Sequence, residues 1–243
     1  MKSIFLLFGL FVCSFGAQSI PSINLSLSAP DTPASLVASL NVIIVLTLLA
    51  LAPSLLFIMT SFLRLIIVFS FMRQAMGTQQ MPPTNILISL ALILTFFIME
   101  PVGKKSYEQG IKPYLDGNIS YTQAFDLGSK PFKEFMIRNT REKDLALFYR
   151  IRELPNPASV DDIPFSIAAP AFVISELKTA FEIAFLLYLP FLVIDMIVSS
   201  VLMSMGMMML PPVMISLPFK LLIFVLVDGW NLLVENLVAS FKF

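Results

Sequence analysis

Two long stretches of the sequence carry no charged residue: residues 32–63 and residues 74–99. About 20 apolar residues in a helix span the hydrocarbon core of a bilayer, so each stretch is long enough for a membrane-type helix. The segment RQAMGTQQMPP (73–83), a polar turn with one glycine and two prolines, joins them. The pattern predicts a helical hairpin over residues 36–102. A kink or break is expected at Pro53, because proline disrupts a helix from within.

Charged residues concentrate in residues 103–162, which hold ten of the sixteen basic and nine of the sixteen acidic residues. Within this segment Phe132, Phe135 and Met136 recur at helical spacing and predict one apolar helix face. Interspersed charges of both signs are typical of a solvated surface. We therefore interpret the segment as a water-facing helical insert without a chemical motif of its own.

Residues 163–243 are again largely apolar and are predicted to form a second helical hairpin, yet ionisable residues lie inside them. Lys178 and Glu182 are four residues apart and can pair on one helix face. Helix geometry leaves Glu176 and Lys220 without a local partner. Unpaired charges are costly in an apolar setting, so we expect a bridge between these two, within one chain or between neighbours.

Asp195 and Asp228 are further candidates for buried polar residues in this region. On a helical wheel Lys220, Asp228 and Glu235 fall within about 80° of one another, which predicts a polar stripe facing protein or water. One interpretation of these charges is a proton or ion pathway, and the other is structural pairing that fixes helix register. The structural interpretation is favoured, because the chain has no histidine and no row of carboxylates along one helix.

Six of the fourteen methionines lie within MSMGMMMLPPVM (203–214). Glycine gives the backbone freedom there and two prolines prevent the helix from continuing, so the sequence predicts a loop. A ring of such loops, one per subunit, would form a deformable apolar constriction, whereas the plainer interpretation is core or lipid-facing filler. The loop-shaping residues are Gly206, Pro211 and Pro212, and the residues presented are Met207, Met208 and Met209.

Composition narrows the function classes. The chain is 57% apolar and 13% charged with no net charge, whereas soluble domains carry about 25% charged residues. Without histidine it can form neither a Ser-His-Asp or Cys-His nucleophile nor a His-ligated zinc site. We expect no enzyme, no cofactor and no metal, and a neutral chain without a basic run predicts no binding to nucleic acid.

The first residues resemble a secretory leader. Lys2 precedes an apolar run at residues 4–12 and then several small residues, which predicts a signal peptide over residues 1–19. An uncleaved first membrane helix is the alternative. Residues 20–35 are rich in Ser and Pro and are predicted to be a flexible lead-in. Four crossings after cleavage would place the charged insert in the periplasm.

Several blocks resemble the FliP family, the export-gate subunit of flagellar type III secretion, which is related to the SctR virulence-system subunits. Residue 184 is alanine where the family is expected to carry glycine, and residues 103–162 match less distinctively. The matching blocks are APSLLFIMTSFLR (52–64), RQAMGTQQMPP (73–83), FIMEPV (97–102), PAFVISELKTAFEIAF (170–185), PFLVIDMIVSSVLMSMGMMMLPP (190–212) and LPFKLLIFVLVDGW (217–230).

The resemblance implies a homo-oligomer, a pentameric ring with FliQ and FliR, that contacts FlhB, FlhA and the basal-body MS ring. It implies a multi-pass protein at the flagellar basal body in the bacterial inner membrane, with a pore for unfolded flagellar proteins. In the family the helices face other subunits and the gate is raised towards the periplasm. The methionine gasket maps onto residues 207–209, and the intersubunit ion pair maps onto Glu176 and Lys220.

The sequence therefore predicts an all-α chain of multi-pass, membrane-type helical hairpins with broken helices and a helical periplasmic insert, assembling into a helical ring. The leading function is a channel subunit for protein export. An ion-coupled secondary transporter using Glu176, Asp195 and Lys220 is the alternative, although no inverted repeat is evident. An intramembrane protease is third, and the chain lacks a Gly-x-Ser-Gly or paired-aspartate motif.

Overall fold

The computed structural model describes residues 33–242, except positions 79, 156, 158, 161, 208 and 209. The predicted signal peptide and nearly all of the lead-in therefore lie outside the described residues. The chain divides into two compact units, Met1–Ala50 and Leu51–Phe243, and the second contains the buried core. Every regular element in the described residues is helical, which confirms the all-α class. The α-helices are α1 Pro33–Ile58, α2 Phe62–Ala75, α3 Thr84–Ser106, α4 Lys112–Leu115, α5 Tyr121–Arg138, α6 Glu142–Ile151, α7 Phe165–Ser204, α8 Pro212–Leu226 and α9 Gly229–Ala239.

The chain does not break at Pro53, and the alternative, a kink within the helix, stays a prediction. Helix α1 runs through this proline and ends at Ile58, and the chain is interrupted at residues 59–61. The polar side chain of Thr60 explains the position of the interruption. Its hydroxyl donates to the Phe57 carbonyl (3.1 Å) and accepts from the Phe62 amide (3.4 Å). Such side-chain bonds compete with the backbone bonds of the helix.

Helices α2 and α3 pack against each other on either side of the predicted polar turn. Apolar side chains of both helices, among them Leu65, Phe69, Leu87 and Ile98, are almost fully buried in one core cluster. The guanidinium of Arg73 ties the turn down by donating to the Pro82 carbonyl (3.3 Å) and to the Thr84 hydroxyl (3.0 Å).

The charged segment shares this core through α5, and its residues Ile137 and Tyr149 also join a second buried cluster with the start of α7. As predicted, α5 turns one apolar face inward, and Phe135 and Met136 are buried with Phe132 packed beside them. The Phe135 ring lies 6.0 Å from the ring of Phe172 on α7 and 6.1 Å from that of Phe241. The insert therefore fixes α7 and the last residues of the chain in place.

A π-helical turn at Tyr107–Ile111 continues α3 into the insert. There Gly110 approaches α5 so closely that a Cβ atom on it would lie 2.6 Å from the Ala124 carbonyl oxygen and 2.7 Å from the Gly128 Cα. The Ser106 hydroxyl donates to the Gly128 carbonyl (2.7 Å) at the same crossing. This backbone contact requires glycine at position 110.

Two helices of the described residues are long and apolar enough to cross a membrane, namely Thr84–Leu115 with 32 residues and Phe165–Ser204 with 40. Each contains an 18-residue stretch with a mean hydropathy of 2.2. Helices α8 and α9 make a third candidate if they form one span bent by 64°. By length and composition these helices are those of a membrane protein. The prediction of four crossings stays a prediction.

Candidate functional site

Lys220 pairs with Asp195 in this chain. The ammonium of Lys220, which is 3% exposed, donates to Asp195 Oδ2 at 2.6 Å and to the Ala75 carbonyl at 3.1 Å. The hydroxyl of Ser216 donates to Asp195 Oδ1 at 2.5 Å. One carboxylate on α7 therefore holds two residues of α8, and the sequence analysis, which paired Lys220 with Glu176, missed this pairing.

Glu176 has a different partner, Arg64 on α2. The carboxylate is fully buried and the guanidinium is 3% exposed; Arg64 Nε donates to Glu176 Oε2 at 2.8 Å, and Nη2 bonds Oε1. Arg64 Nη1 donates to the Ser240 carbonyl (3.0 Å) and hydroxyl (2.7 Å), and the Phe241 ring covers the guanidinium at 3.8 Å. All three guanidinium nitrogens donate, through four of the five N–H groups.

Arg64 was not among the predicted site residues, although the sequence does contain a signal for it. Eight uncharged residues follow it before Arg73, and a charge-free stretch precedes it. It therefore lies in an apolar setting and needs an acid, by the reasoning that singled out Glu176.

These two pairs replace the within-chain form of the predicted bridge between Glu176 and Lys220. Each residue is neutralised inside one chain by a partner on another helix. The same bridge between neighbouring chains stays a prediction, and it would require both residues to change partners. The predicted pair of Lys178 with Glu182 is confirmed at 3.4 Å, on the exposed part of α7.

The polar stripe predicted for Lys220, Asp228 and Glu235 is wrong, because the three do not share one helix. Helix α8 ends at Leu226, Asp228 adopts a left-handed backbone (φ 51°), and α9 leaves at 64°. An aspartate tolerates this conformation better than most residues. In this chain Asp228 and Glu235 are exposed, so Asp228 is not the buried polar residue expected.

The predicted break between α7 and α8 is confirmed. Helix α7 ends in a Schellman motif: Gly206 is left-handed (φ 76°), its amide donates to the Met203 carbonyl, and the Met207 amide donates to the Leu202 carbonyl, both at 3.0 Å. Pro211 precedes α8 and Pro212 is its first residue, a position where the missing N–H is harmless. Met207 is half-exposed on this loop, and Met208 and Met209 lie outside the described residues.

A cavity of about 1300 Å³ lies elsewhere, between α5, α6, α7 and the last residues of the chain. Asn139, Arg141, Glu142 and Lys143 are among its lining residues. The pKa of Lys143 is lowered because its side chain meets that of Lys178 and the two ammonium groups repel each other. Charges of both signs line the cavity, so it indicates no particular ligand chemistry. No cluster of three metal-ligating side chains occurs in the described part of the chain.

Apolar helices of membrane length, buried ion pairs between helices and a broken helical hairpin define an all-α membrane protein. The chain belongs to the FliP family, whose family model matches residues 45–237. It is 50% identical over 217 residues to the flagellar biosynthetic protein FliP of Bacillus subtilis, covering 89% of this chain and 98% of that protein. It is 50% identical over 226 residues to FliP of Caulobacter vibrioides (93% and 84%) and 45% identical over 230 residues to FliP of Aquifex aeolicus (94% and 95%).

Proposed function

We propose that the chain is the core channel subunit of the flagellar type III protein export gate in the bacterial inner membrane. Copies of it, with FliQ and FliR, form the pore through which unfolded flagellar proteins cross. Membership in the FliP family supports the flagellar role. The observation that supports the channel role is the methionine loop. This loop joins the apolar helices α7 and α8 through a defined turn and leaves Met207 exposed.

Methionine suits a seal that must also yield. Its side chain is unbranched and polarizable, so several together close an apolar constriction and reshape around a passing polypeptide at low cost. Apolar constrictions in channels block ions by excluding water. In the proposed gate residues 207–209 of each copy form this gasket, and the subunit acts as a gate, not a catalyst.

The surface of the single chain supports assembly. Large apolar side chains stand outward on α3 and α7, including Phe96 (76% exposed), Phe97, Phe185 and Leu186. Contiguous apolar surface on this scale marks contact with lipid or with other protein. The paired states of Glu176 and Asp195 favour a structural role for these carboxylates over ion coupling.

Replacing Met207, Met208 and Met209 together with alanine tests the gasket. We expect a higher ion conductance of the assembled gate with export retained, because alanine leaves the constriction open to water. Met196→Ala is the control, since Met196 is also an exposed methionine but lies within α7, away from the loop. Conductance at the wild-type level in the triple variant would refute the gasket.

Assembly is tested separately by purifying the protein with co-expressed FliQ and FliR. The proposal expects a ring of several copies around a central constriction. A monomer or dimer with an enclosed solute site would instead support an ion-coupled transporter.

A further inference from the structure

Asp195 is the centre of a polar cluster that joins the two helices flanking the methionine loop. The Asp195 cluster comprises the side chains of Asp195, Ser216 and Lys220 and the carbonyl of Ala75. The two carboxylate oxygens accept separately from Ser216 (2.5 Å) and Lys220 (2.6 Å). These two residues are one turn apart on α8 and so lie on the same face. One side chain of α7 thus holds α8 at two points.

This two-point contact sets the axial register of the hairpin. Asp195 lies nine residues before the end of α7 at Ser204, and Lys220 lies eight residues after the start of α8 at Pro212. At 1.5 Å per residue, the helical segment on each side places the loop roughly 13 Å from the Asp195 cluster. A slip of α8 by one turn would leave at most one of the two partners beside Asp195 and would shift one end of the loop by about 5 Å.

The cluster also attaches the hairpin to the buried core. Lys220 donates to the carbonyl of Ala75, the last residue of α2. The apolar face of helix α2 is fully buried. Beside it, a Cβ atom on Gly77 would lie 3.7 Å from Val213 in the first turn of α8. The first part of α8, which follows the methionine loop, is therefore held against the end of the buried helix α2.

We propose that Asp195 is a positioning residue, which acts through Ser216 and Lys220 to fix the methionine loop at the height where it closes the pore. The inference rests on the proposed function of the loop as a seal. A contact within each chain then sets the register of the hairpin. A symmetric constriction depends on this register, since every copy must present its loop at the same level.

Four variants of the full-length chain in the assembled gate test this proposal. Asp195→Asn keeps an oxygen for Ser216 but loses the charge that holds Lys220, and Ser216→Ala removes the other contact. The charge exchange Asp195→Lys with Lys220→Asp rebuilds an ion pair across the hairpin. Asp228→Asn is the matched control, because this acid is exposed and outside the cluster.

Two readouts are measured, amide hydrogen exchange and ion conductance. The amides of Gly206 and Met207 report on the turn of the loop, and residues 64–72 of α2 serve as the internal reference. We expect Asp195→Asn to speed exchange in the loop by about tenfold, the effect of losing one hydrogen bond to a charged group. The reference stays unchanged and conductance rises. The charge exchange recovers part of both readouts, because it restores the ion pair but a carboxylate at position 220 cannot donate to the Ala75 carbonyl. Ser216→Ala has a smaller effect than Asp195→Asn, and Asp228→Asn has none.

Unchanged loop exchange in Asp195→Asn and Ser216→Ala would overturn the positioning role. So would equal acceleration in the loop and in α2, because Asp195 would then stabilise the fold as a whole. Faster loop exchange that the charge exchange reverses, without any change in conductance, would uphold the positioning role and refute the proposed seal. If Asp195→Asn does not assemble, Ser216→Ala and the charge exchange decide the question by the same comparison.

Discussion

The buried pair of Arg64 and Glu176 allows the sharpest test of how this chain tolerates charge in an apolar core. Replacing Arg64 with methionine keeps most of the side-chain volume but leaves the Glu176 carboxylate, which is fully buried, without its cation. Removing one member of a buried pair costs about 3–5 kcal/mol, because the other charge stays uncompensated. The bonds of Arg64 to Ser240 are lost as well, which places this site towards the upper end.

The measurement is thermal unfolding in detergent, followed by the fluorescence of the single tryptophan, Trp230. For a chain of this size 1 kcal/mol shifts Tm by about 2–4 °C, so we expect Arg64→Met to lower Tm by roughly 10 °C. Adding Glu176→Gln removes the orphaned charge and should restore at least half of this loss. Arg73→Met is the control, with an expected loss of about 1 kcal/mol for its bonds to neutral groups.

A double variant no more stable than Arg64→Met alone would refute the reasoning, because the penalty would then not come from the uncompensated carboxylate. A loss in Arg64→Met no larger than that in Arg73→Met would refute it too. In that case the pair would be solvated in the folded protein despite its burial.

Two further predictions concern the charged insert. Gly110→Ala should destabilise the protein by about 1–3 kcal/mol, since its Cβ would lie 2.6 Å from the Ala124 carbonyl oxygen. Gly103→Ala is the control, and because the space around Gly103 is open it should be neutral or slightly stabilising. Equal Tm values for the two variants would contradict the close crossing. Burial raises the pKa of Tyr149, whose hydroxyl has no hydrogen-bond partner among the described residues. Its neutral form is favoured in the folded state, so stability is lost as pH rises above about 10. Tyr149→Phe should reduce this alkaline loss without lowering stability at neutral pH, as unfolding at pH 7 and pH 11 will show.

The two ion pairs of α7 have different consequences for the architecture. The pair of Arg64 and Glu176 joins α2 to α7 and, through Ser240, to the end of the chain. The pair of Asp195 and Lys220 joins α7 to α8 near the methionine loop. Helix α7 therefore carries one carboxylate that pairs with α2 and one that pairs with α8; Glu176 is fully buried and Asp195 is 24% exposed.

Local pattern determined much of this protein in advance. Charge-free stretches, the Gly- and Pro-bearing turns and the apolar face of Phe132, Phe135 and Met136 depend on neighbours within a few residues. The sequence alone therefore predicted the all-α class, the loop at Gly206 and the inward face of α5. It also identified Glu176 and Lys220 as charges that need a partner, because the cost of burying a charge is a local property.

The identity of those partners was decided only by the tertiary structure. Arg64 lies 112 residues from Glu176, and no helical spacing connects positions so far apart. The helical wheel also failed for Lys220, Asp228 and Glu235, since it assumes one straight helix and the chain turns by 64° at Asp228. Similarly, the end of α1 was set by side-chain bonds of Thr60 and not by Pro53. Sequence pattern shows which groups must be satisfied, whereas packing between distant helices decides which groups satisfy them.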